Sequence, residues 1–162
     1  MNEVTLEAML DAREKRVQTI ADLKKQFPTQ TIISFKLNIP GPTKLTPNYQ
    51  WAFKQGIFEL DQFAKCYDCQ LENHTGPEAY YISDLKVEAV KEAMVNLEDT
   101  HPLGRLFDLD VEGINRKDFG IAPRKCLICD DDAHGCSRSR KHTLDTVIDT
   151  INTLIENVKS PQ

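Results

Sequence analysis

Alternating helical and extended patterns predict an α+β fold: a mainly antiparallel sheet with flanking N- and C-terminal helices. Two observations carry this. Apolar residues recur at helical spacing in four stretches, and short β-branched or alternating stretches lie between them, bounded by Pro and Gly. Leu6 to Phe27 reads as the first helix; Leu6, Met9, Leu10, Val17, Ile20 and Leu23 share its spacing, and Pro28 follows its end. Thr31 to Ile39 (TIISFKLNI) is rich in β-branched residues and reads as a strand, which Pro40-Gly41-Pro42 turns. Pro47 to Lys65 fits a second helix, with Phe53, Ile57, Leu60 and Phe63 on one side. Tyr67 to His74 is a candidate strand, broken by Thr75-Gly76-Pro77 and resumed from Ala79 to Ile82. Ser83 or Asp84 is placed to cap a third helix running to about Glu98. Leu103 to Val111 is a strand, Glu112-Gly113 a turn, and Ile114 to Phe119 an extra, partner strand. Thr143 to Val158 is a last amphipathic helix.

The middle therefore runs β-α-β-β-α-β, plus the extra strand. That order is the ferredoxin-like split β-α-β arrangement, the core found as the palm of many polymerases and nucleotidyltransferases. Fold alone fixes no function. At 162 residues the expectation is one domain, 1–162. Its core spans about 30–120, a Cys-rich loop 122–142, and the C-terminal helix 143–158.

The net charge of −5 argues against a general nucleic-acid binder, which needs a basic surface, but leaves room for a local basic pocket. No apolar run approaches the roughly 20 residues of a membrane span, and the N-terminus mixes acids and bases with no apolar signal stretch. The expected location is the cytoplasm, with no membrane partner. Five cysteines without an export signal point to reduced thiols or a metal site rather than disulfides.

The clearest constellation is Gly104-Arg105-Leu106-Phe107-Asp108-Leu109-Asp110-Val111. Strand alternation puts Asp108 and Asp110 on one face, with Phe107, Leu109 and Val111 on the other. Two carboxylates so placed repel unless a cation lies between them. Hard oxygen ligands suit Mg²⁺, which keeps waters and binds substrate phosphates. Two readings stay open: a metal site for phosphoryl transfer, or two solvated acids on an outer face.

The second constellation is Cys126-Leu127-Ile128-Cys129 followed by Cys136 and His142. The C-x2-C spacing suits a metal, and Cys136 with His142 would complete a Cys3His zinc site, with His134 as a rival ligand. The alternative is a buried thiol cluster. Cys66 and Cys69 share the spacing but read as packing. Candidate phosphate partners are Lys44 after the Pro-Gly-Pro turn, and Arg13 and Arg16, which share a helix face.

HPLGRLFDLDV (His101 to Val111) and APRKCLICDDDAHGCSRSRKH (Ala122 to His142) resemble the apo-citrate lyase phosphoribosyl-dephospho-CoA transferases, the holo-citrate lyase synthases. That family's forms read like HPLGRLWDIDV and PPRRCLLC, so Phe107 stands for a Trp here. The resemblance extends to the Arg13/Arg16 segment, to Ile39-Pro40-Gly41-Pro42 with Lys44, and to Gly76-Pro77-Glu78. It implies a nucleotidyltransferase-type enzyme. The prosthetic group would pass from 2′-(5″-triphosphoribosyl)-3′-dephospho-CoA to a serine of the acyl carrier (gamma) subunit of citrate lyase, releasing diphosphate. It implies Asp108 and Asp110 as catalytic Mg²⁺ ligands, and Arg13, Arg16, Lys44 and Arg105 around the phosphates. Arg105, three residues before Asp108, needs a bulge or a strand end to reach that face. The alternatives are transfer to a malonate decarboxylase type of carrier, and a non-catalytic zinc-knuckle binding module.

Overall fold

The structure, a computed structural model, describes residues 3–122, 124–129, 131–133, 135–136 and 141–160. In chain order the elements are α1 (Leu6–Gln26), β1 (Thr31–Leu37), α2 (Pro47–Asp61), β2 (Lys65–Gln70), β3 (Glu78–Ser83), α3 (Val87–Thr100), β4 (Phe107–Val111) and α4 (Leu144–Lys159). Two 3-10 turns flank β4, at Gly104–Leu106 and Arg116–Phe119. The sheet order is β2-β3-β1-β4, antiparallel at every pairing, as the split β-α-β order requires.

Alternation in β1 divides the sheet into two unlike faces. Ile33 and Phe35 join Tyr81, Phe107 and Leu109 on the face that packs under α2, α3 and α4. Phe53 of α2 stacks on Phe35 with ring centroids 4.4 Å apart. Gly56, one turn further along α2, is what lets the helix come this close. A Cβ there would lie 2.3 Å from the Phe35 ring.

The opposite face changes character along its length. At one end Ile32 and Tyr80 are covered by Leu23 of α1, with Ile20 and Phe27 packed alongside. At the other end the cross-strand rows are polar: Tyr80–Ser34–Asp110, then Glu78–Lys36–Asp108. The N-terminal half of α1 lies over this charged end. Thr5 caps the helix by accepting from Ala8 N, and Val4 N donates to Pro42 O at 2.7 Å, which ties the helix start to the Pro40–Pro42 turn.

Strand β4 is the sheet edge, and side chains satisfy two of its outward backbone groups. The Leu109 N–H donates to Glu98 Oε2 at 2.9 Å, while Arg124 donates to Phe107 O and Gly104 O, both at 2.7 Å. Gly104 permits the tight crossing under α3, where a Cβ would meet the Leu97 and Glu98 carbonyl oxygens at 2.4 Å.

Three local expectations are corrected. The extra strand from Ile114 to Phe119 does not form. A single Val111–Ile114 bridge is followed by a 3-10 turn, because Asn115 and Asp118 make a reciprocal capping box. Neither Ser83 nor Asp84 caps α3. Lys86 holds the N-cap position, and Ser83 Oγ accepts from Leu85 N instead. The stretch Leu103 to Leu106, expected as strand, is mostly the first 3-10 turn.

Candidate active site and cysteine–histidine cluster

Asp108 and Asp110 stand two apart on β4 and share the polar face, with Asp108 partly buried and Asp110 exposed. The cation between them is one the sequence reading did not identify. Lys36 of β1 is the cross-strand partner of Asp108, and its Nζ lies 2.6 Å from Asp108 Oδ2 and 3.5 Å from Asp110 Oδ2. A lone charge, the lysine in the otherwise uncharged TIISFKL, was the available signal. Its meaning depended on a register that strand patterns do not supply.

Desolvation in the cleft and the neighbouring Asp108 carboxylate push the Asp110 pKa above its ordinary value; Lys36 and Lys91 pull it back. The Asp110 side chain keeps 61% exposure, so solvent screens much of this.

Two cavities meet at Asp108. The smaller, about 410 Å³, lies beneath α1 and is lined by Arg13, Arg16, Lys36, Lys44, Glu78 and Asp108. Three of the four expected phosphate partners thus converge here. Arg16 is held by an ion pair with Glu78, and Lys44 donates to Ile39 O. Burial lowers the Lys44 pKa. Arg105 does not join them. The 3-10 turn carries it away from this cavity, and its guanidinium donates to Cys126 O at 2.6 Å.

The larger cavity, about 1750 Å³, runs from Asp108 and Asp110 past Arg105 and Leu127 to His142 and α4. Its far wall carries the second constellation. The ligand atoms of Cys126, Cys129, Cys136 and His142 all lie within 4.8 Å of one another. Cys129 Sγ is 3.4 Å from Cys136 Sγ and 3.4 Å from His142 Nε2. Tetrahedral zinc with Zn–S bonds of about 2.3 Å sets neighbouring ligand atoms roughly 3.5–3.8 Å apart, so the set fits such an ion. Although burial raises the Cys126 pKa, hydrogen bonds from the Cys129 and Ile128 backbone and the other two thiols outweigh it and lower the pKa overall. Cys136, buried and beside the other two sulfurs, is pushed up to about 12. The cluster is coupled to β4 through Arg105 on Cys126 O and Arg124 on Phe107 O. His134, Arg138 and Arg140 lie outside the described residues. Cys66 and Cys69 sit exposed on β2, remote from both constellations.

His101 faces away from the carboxylates. Its ring packs on Phe107 on the apolar face, and its Nδ1 accepts from Leu103 N at 3.0 Å. It shapes the turn into β4.

A family model described as apo-citrate lyase phosphoribosyl-dephospho-CoA transferase matches residues 4–158. A probable apo-citrate lyase phosphoribosyl-dephospho-CoA transferase of Streptococcus pyogenes serotype M18 is 35% identical, over 95% of this chain and 86% of its own length. A protein of Vibrio cholerae serotype O1 bearing the same description is 32% identical, over 93% of this chain and 91% of its own. Protein CitXG of Leuconostoc mesenteroides subsp. cremoris is 36% identical over 95% of this chain, which spans only 35% of that longer protein. Among the described residues no helix is long and apolar enough to cross a membrane.

Proposed function

The chain belongs to the apo-citrate lyase phosphoribosyl-dephospho-CoA transferase family and is a transferase, and from that premise we propose the reaction it performs. It is a cytoplasmic enzyme that takes 2′-(5″-triphosphoribosyl)-3′-dephospho-CoA as donor and a serine of the citrate lyase acyl carrier subunit as acceptor. The serine oxygen bonds to the α-phosphorus, the bond from that phosphorus to the diphosphate oxygen breaks, and the serine proton passes to a carboxylate or to water.

The observation that carries this reading is the position of Asp108, which lines both cavities. A basic compartment on one side suits the phosphate chain, held by Arg13, Arg16 and Lys44. The large cleft on the other side suits the dephospho-CoA portion and gives the carrier serine a way in. Arg105 serves the cleft wall rather than the phosphates. A non-catalytic zinc-knuckle module would have no use for a carboxylate, Asp108, that opens both onto this basic compartment and onto the cleft it shares with Asp110.

The hard oxygens of Asp108 and Asp110 fit Mg²⁺ in donor chemistry, provided that Lys36 gives way. Bound there, the ion would neutralise the departing diphosphate and ease serine deprotonation. The Cys126, Cys129, Cys136 and His142 set would hold zinc through four protein ligands, as a structural site does, and would brace the cleft wall against β4. Among the described residues lining the small cavity there is no nucleophile–base pair, and the Cys129–His142 contact belongs to the proposed metal-ligand set, so attack by serine is direct and in line, inverting the α-phosphorus. Diphosphate release tests the reading. Release should require the donor and apo carrier together, and should fail with a carrier whose serine is replaced by alanine. Release from donor alone would contradict it.

A further inference from the structure

Lys36 occupies the place where a divalent cation is expected, and it stands on the central strand β1, so its backbone is fixed by β3 on one side and β4 on the other. Its cross-strand neighbours on the polar face are Glu78 and Asp108. The side chain, by contrast, is not locked in. It is 29% exposed, and a lysine stem is flexible with a single compact charge at its tip. It also lines the small basic cavity, where Arg16 is already paired with Glu78 and Lys44 with the Ile39 carbonyl.

We propose that Lys36 is an exchangeable counter-cation: without metal it holds Asp108 and Asp110 together, it yields them to a divalent ion, and it then turns to the phosphate chain in the adjoining cavity. The proposal rests on Asp108 and Asp110 being metal ligands. Two cations cannot share one carboxylate pair at contact distance without strong repulsion, so metal entry requires the ammonium to leave. The adjoining cavity offers it a polyanion to meet. Metal and phosphate chain then favour each other's binding, since each relieves a cost the other faces alone. Lys91, the other cation acting on Asp110, is buried on α3.

The test is Mn²⁺ binding to the full chain without substrate, read from free Mn²⁺ by electron paramagnetic resonance. Lys36→Met should bind Mn²⁺ about tenfold tighter than wild type or better, because the competing charge is gone. Lys36→Arg should bind more weakly than wild type, because a guanidinium pairs with carboxylates through two prongs and is harder to displace. The arginine variant keeps the ion pair, so it decides the matter even if the methionine variant folds poorly. Asp110→Asn serves as the control that loses Mn²⁺. Unchanged affinity in both Lys36 variants, with loss in the control, would overturn the exchange and leave the metal assignment standing. No Mn²⁺ bound by wild type or by Lys36→Met would overturn both.

Discussion

Lys36 and Asp108 are cross-strand partners on β1 and β4, and their charged ends meet at 2.6 Å with Asp110 3.5 Å from the same ammonium. Removing either side of this arrangement affects charge balance in the site more than packing, because Phe107, Leu109 and Val111 supply the burial of β4 from the other face. Function and stability therefore separate here.

Asp108→Asn and Asp110→Asn should each fold and lose about two to four orders of magnitude in turnover, ~3–5 kcal/mol of transition-state stabilisation. The Asp110 change has a second signature. Its raised pKa means the folded chain holds that proton more tightly than the unfolded chain. The resulting stability is present below the ordinary aspartate range and is lost as pH rises through the folded value. An asparagine avoids that loss. Asp110→Asn should melt no lower than wild type at pH 7, and any advantage should shrink as pH falls through the carboxylate range. Thermal melts across pH check this; a markedly lower melting temperature at pH 7 would contradict it.

Arg16 and Glu78 act as a unit, the acid setting where the guanidinium points into the small cavity. Arg16→Ala should raise the donor KM about tenfold with little change in kcat, since such a contact holds ground and transition states alike. Glu78→Ala should move KM the same way. The double variant should cost less than the sum. Steady-state kinetics of the three variants decide whether the pair is coupled; additive effects would show that it is not.

The purified chain should carry about one zinc, and a strong chelator should lower its melting temperature. Cys129→Ser and His142→Ala should reduce the zinc content measured by elemental analysis. Metal-free protein of unchanged stability would identify the thiols as packing residues.

Glu98 carries the most concentrated structural role near the site. Its side chain is 5% exposed and faces Arg116 at 2.9 Å and Arg124 at 3.7 Å, besides accepting from Leu109 N. Glu98→Ala should destabilise by about 2–3 kcal/mol, because the edge Leu109 N–H loses its acceptor and two part-buried guanidiniums lose one partner each, Arg116 keeping Asp99 and Arg124 keeping the Phe107 and Gly104 carbonyls. Denaturant unfolding measures this. A change below about 1 kcal/mol would show that water replaces the carboxylate readily.

The strand order was legible because periodicity switches cleanly between β1, α2 and β3, and the Asp108/Asp110 face followed from alternation alone. The Cys126, Cys129, Cys136 and His142 set was legible from ligand type and spacing. Lys36 was not, because pairing register depends on contacts among residues distant in sequence. Arg105 was expected to reach the phosphates only through a bulge or a strand end; the 3-10 turn at Gly104–Leu106 supplies that break but turns the side chain to Cys126 O. The extra strand failed on a capping box that strand propensity does not weigh.

The most direct test of the central claim is the intact mass of the apo citrate lyase acyl carrier subunit after incubation with this chain, Mg²⁺ and 2′-(5″-triphosphoribosyl)-3′-dephospho-CoA. The account predicts a mass gain equal to one phosphoribosyl-dephospho-CoA group, confined to the serine, and absent with Asp108→Asn. A carrier of unchanged mass under those conditions, or an equal gain with Asp108→Asn, would contradict it.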